Sequence, residues 1–450
     1  MATENIKGKT VVFGLGRTGI SSVRFLVENG IEVTAVDDQV NPVKFKSFIE
    51  EFPSVPLCLG KYSTTEVLAG ASSLLVSPGI TLEHPLVKSA VERRIRLTSD
   101  IELFTNKVLA PVIAITGSNG KSTVTTLVGE LIKQSGYRVG VGGNLGTPAL
   151  ELLSSSADFY VLELSSFQLD LLGLDSVSFE VSTVLNISED HLDRHRSFGD
   201  YLAAKRRIYH NCQAALINLE EPVSYRDLKL PKTTVSFGRG GDFEIVDGNI
   251  LAYNKPLVSL DCFKLQGLHN AKNALAALAI GSIIGLPESE MVSALLSFSG
   301  LDHRCQIIGN LNGVKWYDDS KGTNVGATIA AVSGLGEQLK GKLILIAGGI
   351  GKGADFSKLA EVVGRYVKAL VLIGRDRLMI AKQLESACQF FYASSMKEAV
   401  SIAANLAKPE DAVLLSPACA SFDMFDNFEH RGKVFRAEYE ALVKKGDEVY

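Results

Sequence analysis

Three stretches of the chain repeat one pattern: a short, fully apolar run, a Gly-rich turn, and an amphipathic segment. The first opens at Thr10-Val-Val-Phe-Gly14, followed by a helical stretch with Ile20, Val23 and Val27 at helix spacing and Gly30 as its stop. A second apolar run, Ile31–Val36, ends in Asp37-Asp38, so strand, helix and strand form a βαβ unit with a parallel sheet. The second stretch begins near Thr98-Ser99-Asp100. It predicts a strand over Val112–Thr116 and a helix over Ser122–Ser135, with Val124, Leu127, Val128, Leu131 and Ile132 on one stripe. Buried strands are predicted at Phe159–Leu164 and Val181–Ile187, a hairpin at Phe243–Tyr253 around Asp247-Gly248, and an Ala-rich helix at Asn273–Ile284. The third stretch begins near Leu301, with apolar runs Leu343–Ala347, Ala369–Ile373 and Ala412–Leu415 separated by helical segments. Parallel α/β sheets of this kind gather ligands at the carboxyl ends of their strands.

Composition narrows the class. At 450 residues the chain should hold about two to four domains. Hydrophobic residues at 46% and charged residues at 21% describe a soluble globular protein. A net charge of −4 gives no reason to expect nucleic acid or an anionic membrane as partner. The longest nearly apolar run, Ala274–Leu286, falls short of the ~20 residues that span a bilayer. The beginning of the chain shows no secretory pattern, and six scattered cysteines without a Cys-x-x-Cys pair suit a reducing cytoplasm.

The sharpest local chemistry lies at Thr116-Gly117-Ser118-Asn119-Gly120-Lys121-Ser122-Thr123, between a strand and a helix. Glycines let backbone N–H groups approach phosphate oxygens, the helix N-terminus adds partial positive charge, a lysine reaches the β- and γ-phosphates, and a hydroxyl can hold Mg²⁺. Ile115 stands where the strict Walker spacing places glycine, so this is a shortened variant. A magnesium site also needs acidic oxygen ligands. Glu163, in Leu-Glu-Leu-Ser-Ser-Phe-Gln168, and His191, in Asn186-Ile-Ser-Glu-Asp-His-Leu-Asp193, both follow strands beyond the phosphate loop. Alone, Lys205 in Ala203-Ala-Lys-Arg-Arg-Ile208 looks like a solvated helix lysine.

The first block carries Gly14-Leu-Gly16-Arg17-Thr18-Gly19 after a strand, with Asp37 further on. Taken alone, this is a dinucleotide fingerprint and points to an NAD-dependent oxidoreductase. Its physics is only the approach of a diphosphate to a helix N-terminus, which UDP satisfies equally. A nucleotide-dependent switch is a third class that the phosphate loop does not exclude.

In order along the chain, the phosphate loop, the Glu163 and His191 segments, Gly267-Leu-His-Asn-Ala-Lys-Asn273, Leu301-Asp-His-Arg304, Tyr317-Asp-Asp-Ser-Lys-Gly-Thr-Asn324 and Leu415-Ser-Pro-Ala-Cys-Ala-Ser421 resemble the Mur ligases of peptidoglycan synthesis. The N-terminal glycine fingerprint and Ala420-Ser-Phe-Asp-Met-Phe-Asp-Asn-Phe428 place the resemblance nearest the D-glutamate-adding type. The Asp-Asn-Pro-Arg element of the diaminopimelate- or lysine-adding type is missing. The resemblance implies an α/β fold of three domains. These are a Rossmann-like UDP-substrate domain (1–98), a central P-loop ATPase domain with a mostly parallel sheet plus a small antiparallel sheet (99–300), and a Rossmann-like C-terminal domain that takes the amino acid (301–450).

It further implies a cytoplasmic, monomeric, ADP-forming ligase that joins D-glutamate to UDP-N-acetylmuramoyl-L-alanine, using ATP and two Mg²⁺, with no nucleic-acid partner and no membrane insertion. Its implied ATP site comprises Gly117, Ser118, Asn119, Gly120, Lys121, Ser122 and Thr123, with Asn270 and Asn273 on adenine and Arg304 and Asp319 from the third domain. Ser122 and Glu163 are implied ligands of one Mg²⁺, and His191 with a CO₂-derived carbamate on Lys205 of a second. Gly16, Arg17, Thr18, Asp37, Ser77, Gly79 and Asn144 are implied for the UDP-substrate. Lys321 is implied at the phosphoryl centre, and Thr323, Lys352, Ser421, Phe422 and Phe428 around D-glutamate. Ile350 stands where the family pattern often carries an acidic residue.

Overall fold

The computed structural model describes residues 8–40, 45–154, 156–173, 177–189, 194–195, 197–264 and 267–447. Three sheets follow one another along the chain. The first contains β1 (Lys9–Phe13), β2 (Val33–Asp37), β3 (Leu57–Leu59), β4 (Ala71–Val76) and β5 (Arg96–Thr98), all parallel, in the order 3-2-1-4-5. Strand order reverses between β1 and β4, which opens a crevice at their carboxyl ends. There Ser77 Oγ donates to Gly14 O at 2.6 Å and ties the two strand ends together. The helix Arg17–Glu28 presses close: a Cβ on Gly19 would lie 1.9 Å from Gly14 O, so only glycine fits. Val23 and Leu26 form its buried face, whereas Val27, expected there, is 38% exposed.

The second sheet holds β6 (Val112–Thr116), β7 (Val139–Gly143), β8 (Phe159–Glu163), β9 (Phe179–Val184), β10 (Cys212–Asn218) and β11 (Thr233–Phe237), all parallel. Beyond β11 come β12 (Phe243–Val246), β13 (Asn249–Ala252) and β14 (Lys255–Ser259), antiparallel to one another. The antiparallel part is continuous with the parallel sheet through the pair Phe237 and Phe243. Strand β9 stops short of Ile187 because the next residues turn to the phosphate loop: Leu185 N donates to Thr116 O and Asn186 O accepts from Ser118 N. The Ala-rich helix starts earlier than its composition suggests, at Leu268.

The third sheet runs β15-β16-β20-β17-β18-β19, from β15 (Gln306–Leu311), β16 (Val314–Asp318), β17 (Leu343–Gly348), β18 (Val367–Ile373), β19 (Gln389–Tyr392) and β20 (Ala412–Leu415). Only β15 against β16 is antiparallel.

Core packing separates the units unequally. One continuous apolar cluster joins Val12, Leu15 and Leu75 of the first unit to Ile101, Phe104, Ala114 and Leu162 around the second sheet. The third sheet packs two clusters of its own, one on each face. Several of its links to the second unit are polar: Arg304 to Ser122, Asn324 to Asn119, and the half-exposed ion pair of Lys358 with Glu189 at 2.6 Å.

Candidate active site

Strand β6 ends at Thr116 and the helix Lys121–Gln134 begins five residues later, with Gly117–Gly120 as the turn between them. Gly120 caps the helix at φ 80°, and a Cβ there would meet Asn273 Oδ1 at 2.3 Å. Asn186, just past β9, braces the loop: its Oδ1 accepts from Asn119 N at 2.8 Å and its Nδ2 donates to Asn119 O at 2.9 Å. Lys121 Nζ folds back over the turn and donates to Gly117 O and Ser118 O, each at 2.8 Å.

Ser122 is the meeting point of the three functional segments. Its hydroxyl donates to Glu163 Oε2 at 2.5 Å and accepts from Arg304 Nη2 at 2.6 Å, while Asn144 Nδ2 donates to Glu163 Oε1 at 2.8 Å. Burial pushes the Glu163 carboxyl upward, but the charge of Lys121, the Ser122 and Asn144 hydrogen bonds and Arg304 together outweigh it and hold the carboxyl below its usual range. The result is a buried carboxylate beside a hydroxyl, two hard oxygen donors side by side. That donor set fits Mg²⁺, which takes one or two protein oxygens and fills its other positions from phosphate and water. Among the described residues no cluster of three or more His, Cys, Asp and Glu could hold a metal unaided. His191 lies outside the described residues.

Lys205 lies beneath the same loop, on the helix Phe198–Arg206. Its buried Nζ donates to Gly117 O at 2.8 Å and Thr116 Oγ1 at 3.2 Å, and lies 4.8 Å from the centre of the Tyr201 ring. Tyr201 Oη in turn exchanges a hydrogen bond with Ser118 Oγ at 2.8 Å.

Beside the loop a cavity of about 310 Å³ is lined by Asn119, Gly120, Thr123, Asn270, Asn273, Arg304, Asp319 and Lys321. Asp319 Oδ2 accepts from Ser416 Oγ at 2.7 Å and Oδ1 from Cys305 N at 3.1 Å; burial pushes its carboxyl up to about 7. Lys321 is pushed down to about 8, first by burial and then by the neighbouring Arg304 charge. Its Nζ lies 3.8 Å from the Phe428 ring centre.

A larger cleft of about 840 Å³ runs from the first sheet to this centre. It is lined by Gly16, Arg17, Thr18, Asp37, Ser77 and Gly79 at one end, and by Ser122, Asn144, Glu163, Arg304, Lys321 and Phe428 at the other. Asp37 has both oxygens engaged by backbone: Oδ2 accepts from Leu15 N at 2.7 Å and Oδ1 from Gln39 N at 2.9 Å. Its neighbour Asp38 also lines the cleft, held by Tyr62 Oη at 2.7 Å and His84 Nε2 at 3.2 Å. Neither Asp38 nor Gln168, another lining residue, was singled out by sequence reasoning. A signal for Gln168 exists in the sequence: Ser165-x-x-Gln168 is a capping box, and it forms.

The residues expected around the amino acid are divided. Thr323 and Lys352 line a third cavity of about 380 Å³, facing Ser188 and Phe198. Phe428 lies in the large cleft, Ser421 is buried, and Phe422 is 71% exposed and lines none of these three cavities.

The sequence models of three domain families match the chain: "Mur ligase MurD-like, N-terminal domain" over 8–99, "Mur ligase middle domain" over 115–281 and "Mur ligase, glutamate ligase domain" over 303–419. The chain is 46% identical over 448 residues to a UDP-N-acetylmuramoylalanine–D-glutamate ligase of Coxiella burnetii, covering 98% of this chain and 100% of that one. It is also 46% identical over 441 residues to the enzyme of that name from Pseudomonas aeruginosa, covering 96% and 98%. Among solved structures, a pseudomurein peptide ligase type C from Methanothermus fervidus superposes with a TM-score of 0.63 at 18% identity, covering 97% of this chain and all of that one. At that identity the last likeness speaks for the fold alone.

Proposed function

The chain belongs to the Mur ligase family, and we propose the following reading of its chemistry and site. It is the ATP-dependent ligase that adds D-glutamate to UDP-N-acetylmuramoyl-L-alanine, a step of peptidoglycan precursor synthesis. The observation that carries this reading is the continuous cleft from the glycine turn of the first sheet to Ser122, Glu163 and Arg304, beside a cavity lined by the phosphate loop. The UDP diphosphate lies against Gly16, Arg17 and Thr18 at the N-terminus of the helix Arg17–Glu28. The nucleoside lies near Asp37, Ser77 and Gly79, and the peptide end extends past Asn144. ATP places adenine near Asn270 and Asn273, ribose near Asp319, and phosphates on Gly117–Thr123. D-Glutamate is taken by Thr323, Lys352, Ser421, Phe422 and Phe428. The enzyme acts as a monomer in the cytoplasm; among the described residues no helix is long and apolar enough to cross a membrane.

The carboxylate of UDP-N-acetylmuramoyl-L-alanine attacks the γ-phosphorus; a C–O–P bond forms, the bond to the β-phosphate oxygen breaks, and ADP leaves. The amine of D-glutamate then attacks the acyl carbon: the C–N bond forms, the nitrogen gives up a proton, the acyl C–O bond breaks, and phosphate leaves with that oxygen. The first step drives one anion against another, so Lys121, Arg304 and Lys321 lower the barrier by placing positive charge where negative charge gathers. Magnesium bound at Ser122 and Glu163 would add to that neutralisation, and a second ion would rest on His191 and carbamylated Lys205. Closure of the third unit keeps water from the acyl phosphate.

Two measurements test this reading. UDP-N-acetylmuramoyl-L-alanine should raise the thermal midpoint and NAD(P) should not, since a ligand of the native state stabilises by mass action. Gly16→Trp should abolish the effect: the space beside Gly16 is open, so the fold tolerates the side chain, and the indole would fill the room the diphosphate needs. Saturable NAD binding with no response to the UDP-sugar would sink the ligase reading. The second concerns closure. Exposed ion pairs such as Lys358 with Glu189 contribute only about 0–1 kcal/mol, so the third unit should open in solution about a hinge near residues 299–302. The radius of gyration from X-ray scattering should fall when a nucleotide analogue and both substrates are added. An unchanged radius would mean that the closed arrangement persists without ligands.

A further inference from the structure

The C-terminal helix Phe428–Asp447 carries a charged side chain that the reaction leaves unused. Arg431 is 1% exposed and is among the largest fully buried side chains of the protein. Its guanidinium makes three hydrogen bonds, all to neutral acceptors: Nη2 to Ser320 O at 2.7 Å, Nε to Ser320 Oγ at 3.0 Å and Nη1 to Cys419 O at 3.0 Å. Burial without a bonded carboxylate disfavours the cation, and pushes the group down to about 10. A buried charge is a poor way to stabilise a fold when apolar packing would serve as well or better.

What the guanidinium joins explains its presence. Ser320 sits between Asp319 and Lys321 in the loop after β16; Cys419 lies two residues before Ser421 in the loop after β20. These neighbouring parallel strands deliver both loops to the same edge of the sheet. Ser320 Oγ also donates to Phe428 O at 2.8 Å, and the Phe428 ring carries the Lys321 ammonium. The first turn of the helix therefore holds the Lys321 loop at Ser320, through Phe428 O and Arg431, and reaches across to the Ser421 loop at Cys419. The fork supplies three donors in one plane, a set that the point charge of lysine does not reproduce.

We propose that Arg431 is a positioning residue, which fixes the phosphoryl-facing Lys321 loop and the amino-acid-facing Ser421 loop relative to each other for the amide-forming reaction. This rests on the ligase reading above, with Lys321 at the phosphoryl centre and Ser421 near D-glutamate. Displacing groups by about 1 Å at such a centre costs on the order of 100-fold in rate.

The test compares full-length Arg431→Lys and Arg431→Ala with the wild type, each corrected for the folded fraction. Arg431→Lys should lower kcat on the order of 100-fold and raise KM for D-glutamate. KM for UDP-N-acetylmuramoyl-L-alanine, whose diphosphate lies in the first unit, should stay within about twofold of wild type. Added guanidinium should restore part of the kcat of Arg431→Ala at concentrations where methylammonium does not. If the alanine variant fails to fold, the lysine variant alone decides. A kcat for Arg431→Lys within twofold of wild type, with only the thermal midpoint lowered, would reduce Arg431 to a structural role. So would an equal rise in KM for all three substrates. Absence of D-glutamate-dependent ADP release by the wild type would instead remove the ligase reading itself.

Discussion

Lys121→Ala is expected to lower turnover roughly 10²–10³-fold at saturating ATP, since one positioned charge at a reacting centre contributes several kcal/mol. The structure adds a second, smaller effect. Lys121 Nζ donates to Gly117 O and Ser118 O, so its removal takes a donor from each, although Gly117 O keeps the bond from Lys205 Nζ. The residue is only half-buried, and the loss should cost about 1 kcal/mol of stability and leave the fold intact. The Asn186 bonds to Asn119 remain to hold the turn. Stopped assays of ADP release, paired with circular dichroism, separate the two effects. A variant that folds like wild type and turns over near its rate would take Lys121 away from the phosphates.

The sheets were legible because buried parallel strands carry their signal locally. Val112–Ile115 and Leu343–Gly348 are unbroken apolar runs, each followed or closed by a glycine at positive φ. Amphipathic stripes were less secure: the spacing of Val27 fits the helix, yet the sheet covers only the Val23 and Leu26 side. Contacts between units leave no periodic trace. Nothing in Leu-Asp-His-Arg304 announces that its guanidinium reaches Ser122, 182 residues away. Nor does Asp37-Asp38 reveal which carboxylate the backbone engages: Asp37 closes on Leu15 N, while Asp38 is held at the cleft by Tyr62 and His84. Motif matching gave Phe422 and Ser421 the same standing. Tertiary packing leaves one exposed and buries the other.

Lys205 offers the second large effect, because its two roles demand opposite charge. As an ammonium it donates to Gly117 O and Thr116 Oγ1 and faces the Tyr201 ring, a coherent cationic brace under the phosphate loop. As a carbamate it would bear oxygens of the kind Mg²⁺ prefers. Forming the carbamate requires the neutral amine to attack CO₂ and lose a proton, and an ordinary lysine is almost wholly charged at neutral pH. The carbamate would therefore persist only where a bound cation takes up its oxygens. Lys205→Ala should lose most activity under either role. Lys205→Arg separates them: a brace should survive in part, since guanidinium keeps the charge and the donors, whereas a carbamate has no counterpart in arginine. We expect the arginine variant to be about as poor as alanine, and a small carboxylate such as formate to restore part of the alanine variant by supplying oxygens at the vacated position. Bicarbonate depletion should lower the activity of the wild type and leave the formate-restored variant unaffected. Arginine working nearly as well as lysine would show that Lys205 acts as a cation alone.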